Sequence, residues 1–405
     1  MAKTQTLKFR QTVNASPAQV YRAFTNSTAL RAWFCDAAMV NLSKGGRLYW
    51  GWNSGYYACG EFTALVPDKK IAFTWRGQGE PQETRVQVTL AAKNGGTAVT
   101  VAHTQVGSGR QWAKAIEAFE RGWTVGLENL KSALETGQDL RIARRPLLGV
   151  NVGQFNADVA ARLNVPVTQG LLLDGVIEGR GAHAAGLQKG DVIVSIGGKR
   201  ITDGPSLVAA VQPHRAGDQS SVVFYRGSTK KTVKLTFSQR PIPEIPPTAE
   251  ALADAARKGY AELDAALAAS LEGVSEAEAA LQPALDEWSI NETLAHLIIS
   301  ERETQGFIAD LINDDERWSD GLTNPTNVPA RVRATASAFS SLPALIEELK
   351  RAEAETVAML AGLPAEFVAR KDSYWRLGYS ALQFPEHVRD HMGQIQAARQ
   401  AVRKS

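Results

Sequence analysis

Residues 185–198 place the tightest constraint on this chain. Ala185-Gly186-Leu187, then Lys189-Gly190-Asp191, then the apolar run Val192–Ile196 closed by Gly197-Gly198 read as a helix end, a turn and a strand. The stretches on either side of it have a different character. The first third is rich in aromatic strand formers, and the last third in Ala, Leu and Glu. At 405 residues and 44% hydrophobic content, two to four domains can each bury a core of their own. The expected organisation is a multidomain α+β chain of three modules, residues 1–140, 141–245 and 246–405.

Charge divides along the same lines. Residues 1–245 carry 30 Lys and Arg against 17 Asp and Glu, and residues 246–405 carry 15 against 25. The formal net charge of +3 therefore conceals about +13 in front and −10 behind. Such blocks either hold two parts of a chain together, steer acidic partners to the front part, or belong to unrelated domains. Cys35 and Cys59 lack Cys-x-x-Cys spacing and cannot supply a four-ligand zinc site, so both are expected as buried, reduced thiols. No run is long enough to cross a bilayer, and residues 1–6 hold no apolar signal core, which points to a cytoplasmic protein without a membrane span.

In the front module, Asn14-Ala15-Ser16-Pro17 sets a cap before a proline at a helix start. Strand runs follow at 48–50, 60–62, 71–75, 84–90 and 97–103, an antiparallel meander broken by Gly45-Gly46, Pro67-Asp68 and Asn94-Gly95-Gly96. A helix from about Gln111 to Glu135 carries the apolar stripe Trp112, Ile116, Phe119, Trp123, Leu127, Leu130 and Leu134, with Gly137 as its stop. This order, with the segments 45–50, 73–77, 94–101 and 120–135, resembles the START-like (SRPBCC) superfamily. Its branch homologous to the activator of heat-shock protein 90 ATPase is the nearest. The resemblance implies a helix-grip fold with a cavity lined by Trp33, Trp50, Phe62, Trp75, Phe119 and Trp123. Either these aromatics hold a hydrophobic small molecule or client surface, or they fill a small core. His103 ends a strand alone and reads as a surface or core residue.

In the second module, a short helix at 158–163, a strand at 170–177, a capped helix at 203–211 and a hairpin across Arg226-Gly227-Ser228 surround the opening stretch. Leu147–Val150, Ala184–Ile201 and Leu207–Val211 fall where the PDZ domains of HtrA-type proteins, β-barrel-like in fold, have them, and the resemblance implies a groove for a C-terminal peptide. Leu148, Gly149 and Val150 would form its carboxylate loop, and Leu207 and Val211, one turn apart, its side-chain pocket. Arg144 and Arg145 either attract the peptide's charge or belong to a solvated linker. No Gly-x-Ser-x-Gly elbow and no phosphate-binding loop accompany the module, so neither proteolysis nor nucleotide chemistry is expected from it.

Beyond the proline-rich segment 240–248, helices are expected at 249–271, from Ser289, at about 329–360 and at about 379–403, an all-α four-helix bundle. Ser289 and Glu292 form a capping box. His387 and His391 share a face with Phe384, Val388 and Ile395, and His296 sits at the inner edge of its helix; all three imidazoles should look inward. Either a divalent metal satisfies them or they bond to Asp, Glu or water. Residues 288–302 and 387–395 resemble the DinB-like bundles, which implies a three-histidine metal site at His296, His387 and His391, with zinc or nickel as the cofactor. Glu301 and Asp390 are candidate bases for a reacting water, and no catalytic residue is assigned.

The expected function is a binding and scaffolding protein, with a C-terminal peptide of a partner and a hydrophobic small molecule or client as ligands, in a chaperone- or stress-linked setting that rests on resemblance alone. The alternatives are a metal-dependent transferase or hydrolase, thiol-transferring in the manner of some DinB-like proteins, and a carrier of hydrophobic small molecules. No nucleic acid is expected, because the basic residues are scattered.

Overall fold

The structure is a computed structural model and describes residues 4–283, 287–316 and 327–402, apart from the side chains of residues 327, 384–387, 390, 397, 401 and 402. The chain divides into two compact units: residues 1–138 with 243–405, and residues 139–242.

The first unit begins with a seven-stranded antiparallel sheet. Its strands are β1 (Gln5–Val13), β2 (Ala37–Val40), β3 (Arg47–Gly51), β4 (Tyr57–Val66), β5 (Lys70–Gly77), β6 (Thr84–Lys93) and β7 (Gly96–Val106), in the order β1-β7-β6-β5-β4-β3-β2. The expected meander is present, and two strands beyond it close the sheet at its edges. Alternation sets the inner face: Thr84, Val86, Val88 and Leu90 of β6 are buried while their neighbours are exposed. Helices α1 (Pro17–Thr25) and α2 (Ser27–Trp33) form a corner, opened by the Ser16–Gln19 capping box and by the Asn26 side chain accepting from Ala29 N–H. Helix α3 (Ala113–Thr136) buries Phe119, Trp123, Leu127, Leu130 and Ala133, each side chain contributing roughly 1.5–3 kcal/mol where it is large. Gly137 ends α3 at φ 82°, where a side chain is strained. Cys35 is buried as expected, but Cys59 is exposed, because it alternates with inward Ala58 on β4.

The second unit holds α4 (Leu140–Ala143), β8 (Pro146–Leu147), β9 (Val150–Gly153), α5 (Ala157–Arg162), β10 (Leu171–Val176), α6 (Gly181–Ala184), β11 (Val192–Ile196), β12 (Lys199–Arg200), α7 (Gly204–Val211), β13 (Gln219–Arg226), β14 (Thr229–Thr236) and β15 (Ser238–Gln239). Its main sheet runs β14-β13-β11-β10-β9, so β9 is an edge strand. The core is Leu171, Leu173, Ile193, Ile196, Val222, Phe224, Leu235 and Phe237. Asp191 accepts both Nε and Nη2 of Arg226, at 2.7 and 2.8 Å, which ties the opening stretch to β13.

The first unit resumes with α8 (Ala249–Leu271), α9 (Glu276–Ala280), α10 (Ile290–Ile312), α11 (Asn327–Ser337), α12 (Leu342–Ala361), α13 (Ala365–Val368) and α14 (Lys371–Val402). The four long helices close a ring in which α8 and α10 each pack on α12 and α14. The helix expected at 329–360 is two helices. Ser341 caps α12 with Pro343 in its first turn, so the chain restarts there. The last helix starts at Lys371, eight residues earlier than its spacing suggested, and runs through Pro385.

The aromatic sheet and the bundle meet through charge. Arg22 of α1 donates from Nε to Asp314 (2.8 Å) and from Nη1 to Asp372 (3.2 Å). Glu316 accepts two bonds from Arg376, at 2.9 and 3.0 Å, and pairs with Arg31 of α2 at 3.0 Å. The basic front and acidic rear of the sequence are partly explained by this junction, where each guanidinium fork matches a carboxylate.

Candidate functional site

The loop before β9 is built around Gly149, at φ 80°. A Cβ there would fall 2.2 Å from the Cβ of Arg180, so only glycine fits. The carbonyl of Leu148 accepts from Ala182 N–H, and that of Gly149 from Ile177 N–H, both at 2.9 Å. In a trans peptide the N–H points opposite to the C=O. The N–H groups of Gly149 and Val150 therefore point away from residues 177–182, side by side, at the head of an edge strand. Val150, Leu207 and Val211 border the same core while staying half-buried. Helix α7, which carries Leu207 and Val211, is set by an Asp203–Ser206 capping box. Arg145 is exposed and Arg144 caps α4. The side-chain stem of Arg180 packs against Gly149 while its Nη1 donates to the Gln239 carbonyl at 3.4 Å; spacing did not single it out, because its place depends on a fold-back of 31 residues.

In the bundle, His296 and His391 meet with ring centroids 4.7 Å apart, and Trp288 lies 4.8 Å from the first ring and 6.3 Å from the second. Nδ1 of His391 is 2.9 Å from Oε1 of Gln394, an acceptor for a hydrogen on Nδ1. The side chain of His387 lies outside the described residues, as does that of Asp390. Among the described residues no three His, Cys, Asp or Glu side chains form a metal-holding group. Glu292 is committed to its cap at Ser289 N–H (2.9 Å) and to Gln282 (3.0 Å). Glu301 is fully buried, accepting from Thr356 at 2.8 Å and Tyr260 at 3.2 Å.

The six aromatics expected around a cavity are all buried. Trp50 stacks on Trp75 at 5.1 Å, Phe62 meets Phe73 edge-on at 6.4 Å, and Phe34 stands against Trp33, Trp50, Trp75 and Trp123 within 6.4 Å. His103 is a core residue. Trp123 Nε1–H donates to its Nδ1 (3.2 Å), so its Nε2–H donates to Thr84 Oγ1 (2.7 Å), which can donate to the Trp75 carbonyl. Burial pushes this imidazole down to about 3. Open room exists elsewhere: a cleft of about 440 Å³ at the α1–α2 corner, lined by Tyr21, Val40, Leu42, Asp314 and Asp315.

Residues 14–135 match the family model of the activator of Hsp90 ATPase homolog 1-like proteins, residues 146–237 that of the PDZ domain, and residues 260–395 that of the DinB superfamily. The chain carries all three modules. Over 106 residues it is 33% identical to a probable periplasmic serine protease, do/HhoA-like, of Haemophilus influenzae, spanning 26% of this chain and 22% of that one. Over 93 residues it is 32% identical to the activator of 90 kDa heat shock protein ATPase homolog 1 of Mus musculus, 22% of this chain and 27% of that one. The matches thus span about a quarter of the length of these curated relatives. Among solved structures, the Aha1 dimer of Colwellia psychrerythraea aligns with TM-score 0.30 and 23% identity, over 33% of this chain and 98% of that one. The modules make this a multidomain binding protein. Among the described residues, no helix is long and apolar enough to cross a membrane.

Proposed function

We propose that this chain is a scaffold whose PDZ module captures the C-terminal end of a partner protein. The observation that carries the reading is the pair of N–H groups at Gly149 and Val150, aligned at the head of the open edge of β9. A terminal carboxylate would accept from both, the peptide would continue as a strand beside β9, and its last side chain would enter between Val150, Leu207 and Val211. A screen of displayed peptides against the full chain tests this. Binding that vanishes when the carboxyl end is amidated supports the loop, and equal binding of amidated peptides removes it.

The front module, by its similarity to the mouse activator, is proposed to engage an apolar ligand or client surface in a chaperone-linked setting. The packed aromatic interior favours a surface such as the cleft beside Leu42 over an enclosed ligand, which makes the carrier reading the weakest. Two free cysteines, one of them exposed, support a reducing, cytoplasmic location.

A second reading has its own observation. His296 and His391 meet in the bundle with ring centroids 4.7 Å apart, and Gln394 holds Nδ1 of His391. Two imidazoles so placed fit part of a zinc or nickel site, with His387 as the proposed third ligand. Such an ion supplies a Lewis acid, and a metal-dependent transferase or hydrolase would follow. Metal analysis of the purified chain, followed by activity assays with His391→Ala, separates an enzyme from a structural site.

A further inference from the structure

The bundle interior is not one apolar core but two. One cluster contains Leu263, Ile298, Leu349 and Val388, and the other Tyr260, Ile308, Val357, Leu377 and Ala381. Between them, at one level on three helices, lie Asp264 of α8, Glu301 of α10, and Glu353 and Thr356 of α12. Glu301 and Thr356 are fully buried and Glu353 nearly so, while Asp264 is half-buried.

The burial of this seam favours bound protons. Asp264 lies one turn beyond Tyr260 on α8 and Glu353 one turn before Thr356 on α12, so both carboxyls stand beside Glu301, and neighbouring carboxyls in a buried site disfavour one another's ionisation. Oε1 of Glu301 is buried with no hydrogen-bonding partner, whereas Oε2 lies 2.8 Å from Thr356 Oγ1 and 3.2 Å from Tyr260 Oη. Thr356 has one hydrogen, and the Ala352 carbonyl stands 3.1 Å away to take it. With that hydrogen turned to Ala352, a protonated Glu301 donates from Oε2 to Thr356 instead of accepting from it, and Oε1 becomes a neutral carbonyl oxygen. Among the described residues no cation is paired with Glu301, so an ionised carboxylate there would be a buried charge without a counter-ion, which is far more costly.

The groups facing the seam are few. Helix α8 supplies Tyr260 and Asp264, α10 supplies Glu301, and α12 supplies Glu353 with Lys350, whose charge opposes the effect at Asp264 and Glu353. On α14 the described residues that bracket this level, Ala381 and Val388, are apolar. Desolvation and the neighbouring carboxyls act together on Glu353, pushing it up to about 8, and burial raises Glu301 and Asp264.

We propose that the carboxyls of Asp264, Glu301 and Glu353 form a proton-binding seam that joins α8, α10 and α12, and that the bundle loosens as these groups are forced to ionise. The sign follows from linkage. Groups held above their unfolded values give stability that is whole below about pH 4.5 and is lost as pH rises towards 8. The seam is independent of the peptide groove and of the histidine pair.

Two measurements on the full chain test it. Infrared spectra at pH 7 should contain a protonated-carboxyl band that is lost in Glu353→Gln and weakened in Glu301→Gln. Thermal unfolding of the wild type should fall by roughly 5–10 °C from pH 6 to pH 9, and Glu353→Gln should abolish much of that fall. The amide is neutral at every pH, so the variant should match the wild type at pH 5 and exceed it at pH 9. No protonated band at pH 7, or parallel pH slopes for wild type and both variants, overturns the proposal. So does a slope abolished by His387→Gln alone, which would place the titrating group on α14. Should a Gln variant fail to fold, the wild-type band still decides.

Discussion

Two interiors of the same compact unit handle buried polar groups in opposite ways. In the aromatic core, His103 is held between a donor and an acceptor, Trp123 and Thr84, and the network fixes one neutral tautomer. In the bundle, Glu301, Glu353 and Asp264 sit together, and Oε1 of Glu301 is buried without a hydrogen-bonding partner. The first interior resists gaining a proton and the second resists losing one. An imidazole held near 3 costs stability as pH falls below about 6.5, and a carboxyl held near 8 costs stability as pH rises above about 4.5. The unit is therefore expected to be most stable in a window bounded on each side by a different module. A buried polar group reports its surroundings through the proton it holds more than through its burial alone.

The strongest way to break this contrast is to open the aromatic core. Trp123→Ala should cost about 3–5 kcal/mol in chemical denaturation, because a cavity forms and His103 loses its Nδ1 partner. Glu316→Ala should cost about 3–5 kcal/mol as well, at the low end because Arg31 and Arg376 retain some solvent. It should lower the unfolding of sheet and bundle together, and two separated transitions would show that the junction does not couple them. His103→Leu should remove part of the acid sensitivity, about 2 kcal/mol between pH 7 and pH 5, measured by urea denaturation at both values. His391→Ala should lower bound zinc or nickel without shifting the alkaline limit, as read by metal analysis and a pH series of melts. Smallest, Val208→Lys on the exposed face of α7 should change stability by less than about 0.5 kcal/mol and leave peptide binding intact, whereas Leu207→Asp should abolish it.

Much of this was legible wherever a local signal sufficed. The caps at Ser16, Asp203 and Ser289 mark helix starts as their sequences imply, and Gly137 ends α3. Strand β1 escaped notice because Lys8, Arg10 and Gln11 dilute its apolar face and its partner β7 lies some ninety residues on. The break before α12 was signalled by Ser341-Leu342-Pro343 but hidden by an unbroken helical composition around it. At the sites, the residues that would bind by backbone and those that stack were readable from pattern. Arg180 beside Gly149, Gln394 on His391 and the gathering of Asp264 and Glu353 around Glu301 were not, since each depends on a neighbour from another element or turn. Nothing in the local sequence singles out the acids at 314 and 316. Only the fold turns them towards Arg22 and Arg31.

One close approach has a consequence for how such a chain can arise. A Cβ at Gly137 would fall 2.5 Å from the Lys371 carbonyl and 2.8 Å from Trp375 Cβ, and one at Gly378 would fall 2.4 Å from Ile245, while Tyr374 Oη donates to the Pro246 or Thr248 carbonyl. The points where the peptide path departs and resumes are thus pinned one helical turn apart on α14. A segment spliced at that spot enters and leaves at two points that α14 already fixes. Lineages could gain, swap or discard residues 139–242 as a cassette while the surrounding architecture stays whole.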